Sequence, residues 1–476
     1  MNKMKKIFIV SLTLLTAVAC EDLTELNDDI KNPKEVPAGA LFANASKSLF
    51  DFMTEPNVNV NNFRLWAQQW AQTTYADESN YDLITRNVNG SAWNTLYAEV
   101  IRDLRETKRF VEQDNFLTAQ AKANQMAMAE VLEVFTFHVL VDIFGDIPYT
   151  QALTDDVTPA YDDDADIYAD LVSRLDAAIA QLSGDSDMGA YDIVYGGDAD
   201  MWRLFANSLK LRMAIRLADV NPGLAETMAE AAVNDGVFTS NADNFALSYQ
   251  GSTPNTNPLW VSLIQSGRSD YIAASTLVEP MVALDDPRLP YYYKDPVGAE
   301  FLGGIYGDNN AFNAFSHPGE WQEDPTFPGI IMSNWEVAFL KADAAERGFD
   351  VGGTAEEFYD EGITASILYW GGDQAAADAY LANPDVAYPT AMGATPFERI
   401  ALQKWIALYD QGFEAWSTVR FYDYPSMPIA VLSELPTPSR YTYPVTEYSL
   451  NEENVATART NMGGDELGGK VFWDVN

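Results

Sequence analysis

Asp162, Asp164 and Asp166 alternate like the first ligands of a calcium-binding loop. Such a loop needs glycine at its sixth position and a bidentate glutamate at its twelfth. Ile167 and Ser173 occupy those positions here. The aspartates therefore read as caps and first-turn charges for a helix over 166–182. Gly464 with Gly469-Lys470 imitates a phosphate-binding loop, but Val471 stands where the motif requires a hydroxyl for magnesium. With only two histidines, His138 and His317, a site needing two or three imidazole ligands has nothing to spare. His138 lies within an apolar helical run and is expected in the core. The single cysteine, Cys20, excludes an intramolecular disulfide and a cysteine-based zinc site. No Gly-x-Ser-x-Gly elbow occurs, and among 70 acidic residues no local signature selects a catalytic carboxylate pair. No metal, cofactor or enzymatic activity is expected from these residues.

Residue types suited to recognition rather than catalysis are also present. Sugar sites combine flat aromatic faces with planar polar side chains that bond hydroxyls. Two loop segments offer both. Loop 76–89 carries Asp77, Asn80, Tyr81 and Arg86, and loops 301–322 carry Tyr306, Asn309 and Trp321. The alternative is that these aromatics plug their loops onto the scaffold. Trp93 is assigned to the core, since it shares a helix start with Leu96 and Tyr97. The charge narrows the ligand class. Lys and Arg number 29 against 70 Asp and Glu, a net −41. That balance disfavours nucleic acid and adsorption to anionic headgroups, and leaves neutral or cationic ligands.

The elements that must hold these loops are helical. Apolar spacings of three and four predict helices over 38–53, 61–75, 91–113, 117–144, 166–182, 198–220, 334–347, 355–369 and 396–421. Trp202, Phe205, Leu209, Met213 and Leu217 form one such stripe, expected to face the core. Residues 239–330 are dense in Gly, Pro, Asn and Tyr and read as long loops with short strands, where binding tends to sit. The fold expected is mainly α. TPR-like helix pairs form the scaffold, with an irregular loop-rich ligand-binding face, although no clean 34-residue consensus is visible.

The first residues describe export. Lys3, Lys5 and Lys6 precede an apolar run from Ile7 to Ala19. As a helix this run is about 20 Å long, short of the roughly 30 Å hydrocarbon core, and so reads as a signal peptide over 1–19. It ends Ala17-Val18-Ala19-Cys20, which resembles a bacterial lipobox and makes Cys20 the expected lipidated first residue of the mature chain. Residues 20–37 are polar and acidic. They read as a tether reaching about 55 Å when extended, ahead of a single domain over 38–476.

Several segments, in order, resemble the SusD-like (SusD/RagB) outer-membrane lipoproteins. They are Phe144-Gly145-Asp146-Ile147-Pro148-Tyr149, Asn207-Ser208-Leu209-Lys210-Leu211-Arg212, Asp286-Pro287-Arg288, Glu336 to Ala345, Gln403-Lys404-Trp405 with Gln411-Gly412-Phe413-Glu414-Ala415-Trp416, and Phe472-Trp473-Asp474. Val419-Arg420-Phe421-Tyr422 departs from the paired arginines common there in relatives. The resemblance implies a non-catalytic, lipid-anchored binding protein at the outer membrane surface. It would pass a glycan, or else a peptide, to a SusC-like TonB-dependent transporter that it covers as a lid. It also implies ligand contacts from the region of loop 76–89. A surface glycoside hydrolase would instead turn over a glycan and lose activity with one carboxylate. A ligand-free structural subunit would co-purify with the barrel and bind nothing else.

Overall fold

The computed structural model describes residues 36–476. The expected signal peptide, Cys20 and nearly all of the tether lie outside the described residues. Among the described residues no helix is long and apolar enough to cross a membrane.

Helix α1 (Ala38–Thr54) buries Phe42, Leu49 and Phe50 along one face. The predicted helix over 61–75 is not formed. Four helical residues, Phe63–Trp66, are followed by strand β1 (Trp70–Gln72). The chain turns between them at Gln68, whose φ is +52°. Both faces of this segment are buried, so its apolar pattern could not separate strand from helix. A helical path then runs from Val88 through a π-helical stretch, Thr95–Ile101, into α2 (Arg102–Gln113), with Trp93 buried as expected.

Helix α3 (Ala119–Phe144) is capped by the Thr118 hydroxyl and stopped by Gly145 at φ +79°. Its last fourteen residues are buried all round, as a helix apolar on every side must be. Helix α4 (Asp164–Ile179) starts two residues earlier than its spacing suggested. The Asp163 carboxylate caps it, accepting from the amides of Ala165 and Asp166. Asp162 instead accepts from the amides of Tyr149 and Thr150. Helix α5 (Ala199–Leu217) buries the whole predicted stripe. Asn221 and Pro222 then start a further helix, α6 (Pro222–Asp235), that periodicity did not single out.

Residues 245–332 leave and return through one antiparallel pair, β2 (Phe245–Leu247) with β6 (Gly329–Met332). Between them lie β3 (Tyr271–Ala273), β4 (Tyr293–Lys294) and β5 (His317–Pro318), joined by long loops. The scaffold resumes with α7 (Asn334–Glu346) and α8 (Ala355–Tyr369). The single helix expected over 396–421 is two, α9 (Pro396–Ala407) and α10 (Gly412–Tyr422). The break is tertiary in origin. Asp410 turns at φ +70° to meet the Arg64 guanidinium, and a Cβ on Gly412 would stand 2.5 Å from the Arg64 nitrogen. Helices pack in successive pairs, α1 on α2, α3 on α4, α5 on α6 and α7 on α8. The loop-rich tail adds two short helices, Val445–Leu450 and Glu452–Asn461.

A sealed polar network binds these pairs. Arg212 of α5 makes two bonds to Glu336 of α7, at 2.7 and 2.8 Å. Arg216 reaches Glu414 of α10 at 2.7 Å, and Lys404 of α9 reaches the same carboxylate at 3.0 Å. The Trp473 indole donates to Asp142 of α3 at 2.8 Å. Leaving one such charge unmatched costs about 3–5 kcal/mol, so the network penalises any packing that parts these helices.

Candidate functional site

The site is built by the short strands. β1 pairs antiparallel with β3, setting Gln72 opposite Tyr271. This lays loop 73–86 beside the segment 261–270. β4 pairs with β5, setting Lys294 opposite His317. Asn310 pins the two halves together: its side-chain amide donates to the Gln72 and Ile305 carbonyls at 3.0 and 2.9 Å. Asn80 adds a second pin, donating to the Gly307 carbonyl at 2.7 Å and accepting from the Leu432 amide at 2.9 Å.

Three recesses follow one another along this face. The first, about 540 Å³, lies between Asn57, Asn59, Tyr75, Arg86 and Arg268, with Tyr271 at its base. The second, about 250 Å³, shares Arg268, Asp270 and Tyr271 with the first and extends to Lys294 and His317. The third, about 520 Å³, shares Lys294 and is walled by Tyr291, Trp321, Phe327 and Trp370. Tyr75 is 61% exposed, and the Arg86 guanidinium lies 5.3 Å from its ring centroid, holding the ring by a cation–π contact. The left-handed backbone at Tyr75, φ +54°, turns the ring outward. An open ring face beside amides and guanidinium donors can stack on a sugar and bond its hydroxyls.

Each cation here has a carboxylate beside it. Arg86 bonds Glu78 and lies 3.6 Å from Asp77. Burial pushes the Glu78 carboxyl up against the pull of Arg86. Arg268 bonds Asp270, which tightens its hold on its proton. Lys294 bonds Glu323. His317 Nδ1 is 2.8 Å from Asp295, and its ring stacks on Phe312 at 3.8 Å.

The sequence-predicted residues divide. Arg86 lines the first recess and Trp321 the third. Asp77 is exposed beside Arg86. Asn80 spends its amide on the pins described above. Tyr81 and Tyr306 are only 4% and 2% exposed; Tyr81 packs edge-on to Trp66 at 6.1 Å and borders only a separate recess of about 310 Å³, with Leu83, Tyr443 and Tyr448. Asn309 is exposed but borders none of the three recesses. Sequence reasoning missed Tyr75, Arg268, Tyr271, Lys294 and His317. Tyr75 was hidden inside the supposed helix over 61–75, although Thr73-Thr74 before it already favoured extended chain.

A separate acidic group lies at the start of α4. Asp146, Asp163 and Asp164 bring carboxylate oxygens within 4.8 Å of one another. Burial and mutual repulsion raise Asp146 to about 7 and Asp164 to about 6. Their oxygens serve the protein itself, accepting from the amides of Asp164 and Phe472 at 3.1 and 2.9 Å.

The scaffold of helix pairs is shared with known proteins. A family model described as SusD-like, starch-binding associating with outer membrane, matches residues 30–444. The chain belongs to the SusD-like family. Among solved structures it is similar to a chitin-binding protein at 29% identity and a TM-score of 0.81, covering 93% of this chain and 100% of that one. It is similar to a chitin-binding SusD homolog from Flavobacterium johnsoniae at 26% identity and TM-score 0.79, covering 92% and 99%. A SusD-like protein from Bacteroides thetaiotaomicron gives the same values. No curated protein matches the chain.

Proposed function

We propose that this chain captures a glycan in the Tyr75–Arg268 cleft, without catalysis, and delivers it to a SusC-like TonB-dependent transporter. It does so from the outer membrane surface, held there by lipid on Cys20. The observation that carries the reading is the exposed Tyr75 ring, fixed by Arg86 and rimmed by Asn57 and Asn59 over a 540 Å³ recess. Ring stacking supplies affinity, and the amides and guanidinium groups select hydroxyl positions. The two chitin-binding relatives make oligomers of N-acetylglucosamine the first ligands to try.

Calorimetric titration of the purified chain with N-acetylglucosamine hexamer tests this. Tyr75→Ala should weaken binding at least about tenfold. Its melting temperature should stay unchanged, because the ring is mostly in water. Full affinity in that variant would remove the cleft from the proposal. Sugar hydrolysis by the wild-type chain would remove the non-catalytic reading. Co-purification with a barrel from mildly solubilised membranes tests the transporter partnership, and repeated recovery as a free monomer counts against it.

A further inference from the structure

We infer that the cleft is charge-closed against acidic sugars: it selects uncharged glycans, and Asp270 is the residue that sets this. The inference rests on the glycan reading above and names its ligand class.

The permanent cations that line the three recesses are Arg86, Arg268 and Lys294. Each already has a carboxylate in contact, Glu78 with Asp77, Asp270 and Glu323 respectively. His317, the fourth group able to carry positive charge, faces Asp295. Carboxylates therefore outnumber permanent cations along the whole path. A uronate or sulfate entering the cleft finds no free cation among the described residues. It must displace a resident carboxylate or sit beside it, and like charges at contact distance repel. The surrounding protein adds to this, at a net −41. A neutral sugar loses nothing by the pairing. Hydroxyl and N-acetyl groups take both donors and acceptors, and a guanidinium beside a carboxylate offers both within a few ångströms.

Asp270 is the decisive position because Arg268 stands between the first two recesses and its side chain is 53% exposed. Only Nε of that guanidinium is bonded to Asp270. The Asp270 carboxylate cancels the charge, while its backbone carbonyl separately accepts from the Thr73 amide at 2.9 Å and holds β1 to the loop. Asp270→Asn removes the charge and keeps the backbone bond.

The test compares N-acetylglucosamine hexamer with galacturonate hexamer on the wild type and on D270N, by calorimetry at 0.15 M salt. The wild type should bind the neutral hexamer at least about tenfold more tightly than the acidic one. In D270N, galacturonate binding should strengthen by about tenfold, the value of one hydrogen bond to a newly unpaired charge. The neutral hexamer, which loses the Asp270 acceptor, is measured beside it, and the ratio of galacturonate to N-acetylglucosamine affinity should rise by about tenfold. Equal binding of both sugars by the wild type would overturn the inference while leaving the glycan reading intact. So would a D270N variant that binds the neutral hexamer but gains nothing for galacturonate. Binding of neither sugar by either protein would refute both.

Discussion

His138 offers a measurement of the sealed network. It lies on α3 with no exposed surface. Its Nδ1 is 3.0 Å from the Tyr168 hydroxyl, and its Nε2 is 3.7 Å from Asp142. Burial lowers its pKa from 6.5 to about 4; the pull of Asp142 opposes this, and Arg212 and Arg216 reinforce it. The native imidazole is thus neutral where the unfolded one is charged. Its contribution to stability is complete above pH 6.5 and is lost as pH falls toward 4. The gap between those values takes about 2 kcal/mol from the native state by pH 5 and about 3 kcal/mol by pH 4. Asp146 and Asp164 act in the opposite sense. Raised to about 7 and about 6, they burden the native state when charged, and acid relieves them. The total curve therefore mixes both effects, and the informative quantity is a difference. His138→Asn places an amide near the Tyr168 hydroxyl and cannot titrate. Its cavity cost is the same at every pH. Urea unfolding of both proteins at pH 7.5, 6, 5 and 4 should show the wild type's advantage shrinking by about 3 kcal/mol. Parallel curves across that range would refute the reasoning.

Tyr81→Ala should cost about 3–5 kcal/mol in urea unfolding, because the ring is core, and should weaken glycan binding only as far as it unfolds the chain. Arg288→Ala strips the buried Asp286 of its bonds at 2.9 and 2.6 Å. A loss of about 3–5 kcal/mol is expected by the same assay. Gly307→Ala places a Cβ 2.8 Å from the Val431 nitrogen at φ +81°. Hydrogen exchange at the Leu432 amide, which bonds Asn80, should speed up, and protection equal to wild type would count against the pinning role given to that loop. Cys20→Ala should appear in the medium instead of the membrane fraction, and continued incorporation of labelled fatty acid would defeat the lipobox reading.

Local apolar spacing placed most of the helical scaffold, though not the segment 61–75 or the break within 396–421. The stripe Trp202-Phe205-Leu209-Met213-Leu217 is buried, because an apolar helix face has no other stable place, although the packing closes over residues 205–217 on every side. The sequence also held the family's signature, and the reason becomes visible only in three dimensions. Arg212, Glu336, Lys404, Glu414 and Trp473, all inside the matching segments, form the network that joins helices far apart in the chain. A single sequence shows each of these as a charge or a ring in a helix, without its partner. The cleft was less legible. Tyr75, Tyr81 and Tyr306 are the same residue type, yet two are sealed in and one stands in solvent. That choice depends on strand register, on left-handed turns at Tyr75 and Tyr81, and on Asn310 reaching Gln72 across 238 positions of chain. The break between α9 and α10 has the same origin, since Gly412 must admit the backbone of Phe63 and Arg64. Local pattern fixes which face of an element is apolar; which loop residues face water is set by contacts between segments that no local pattern connects.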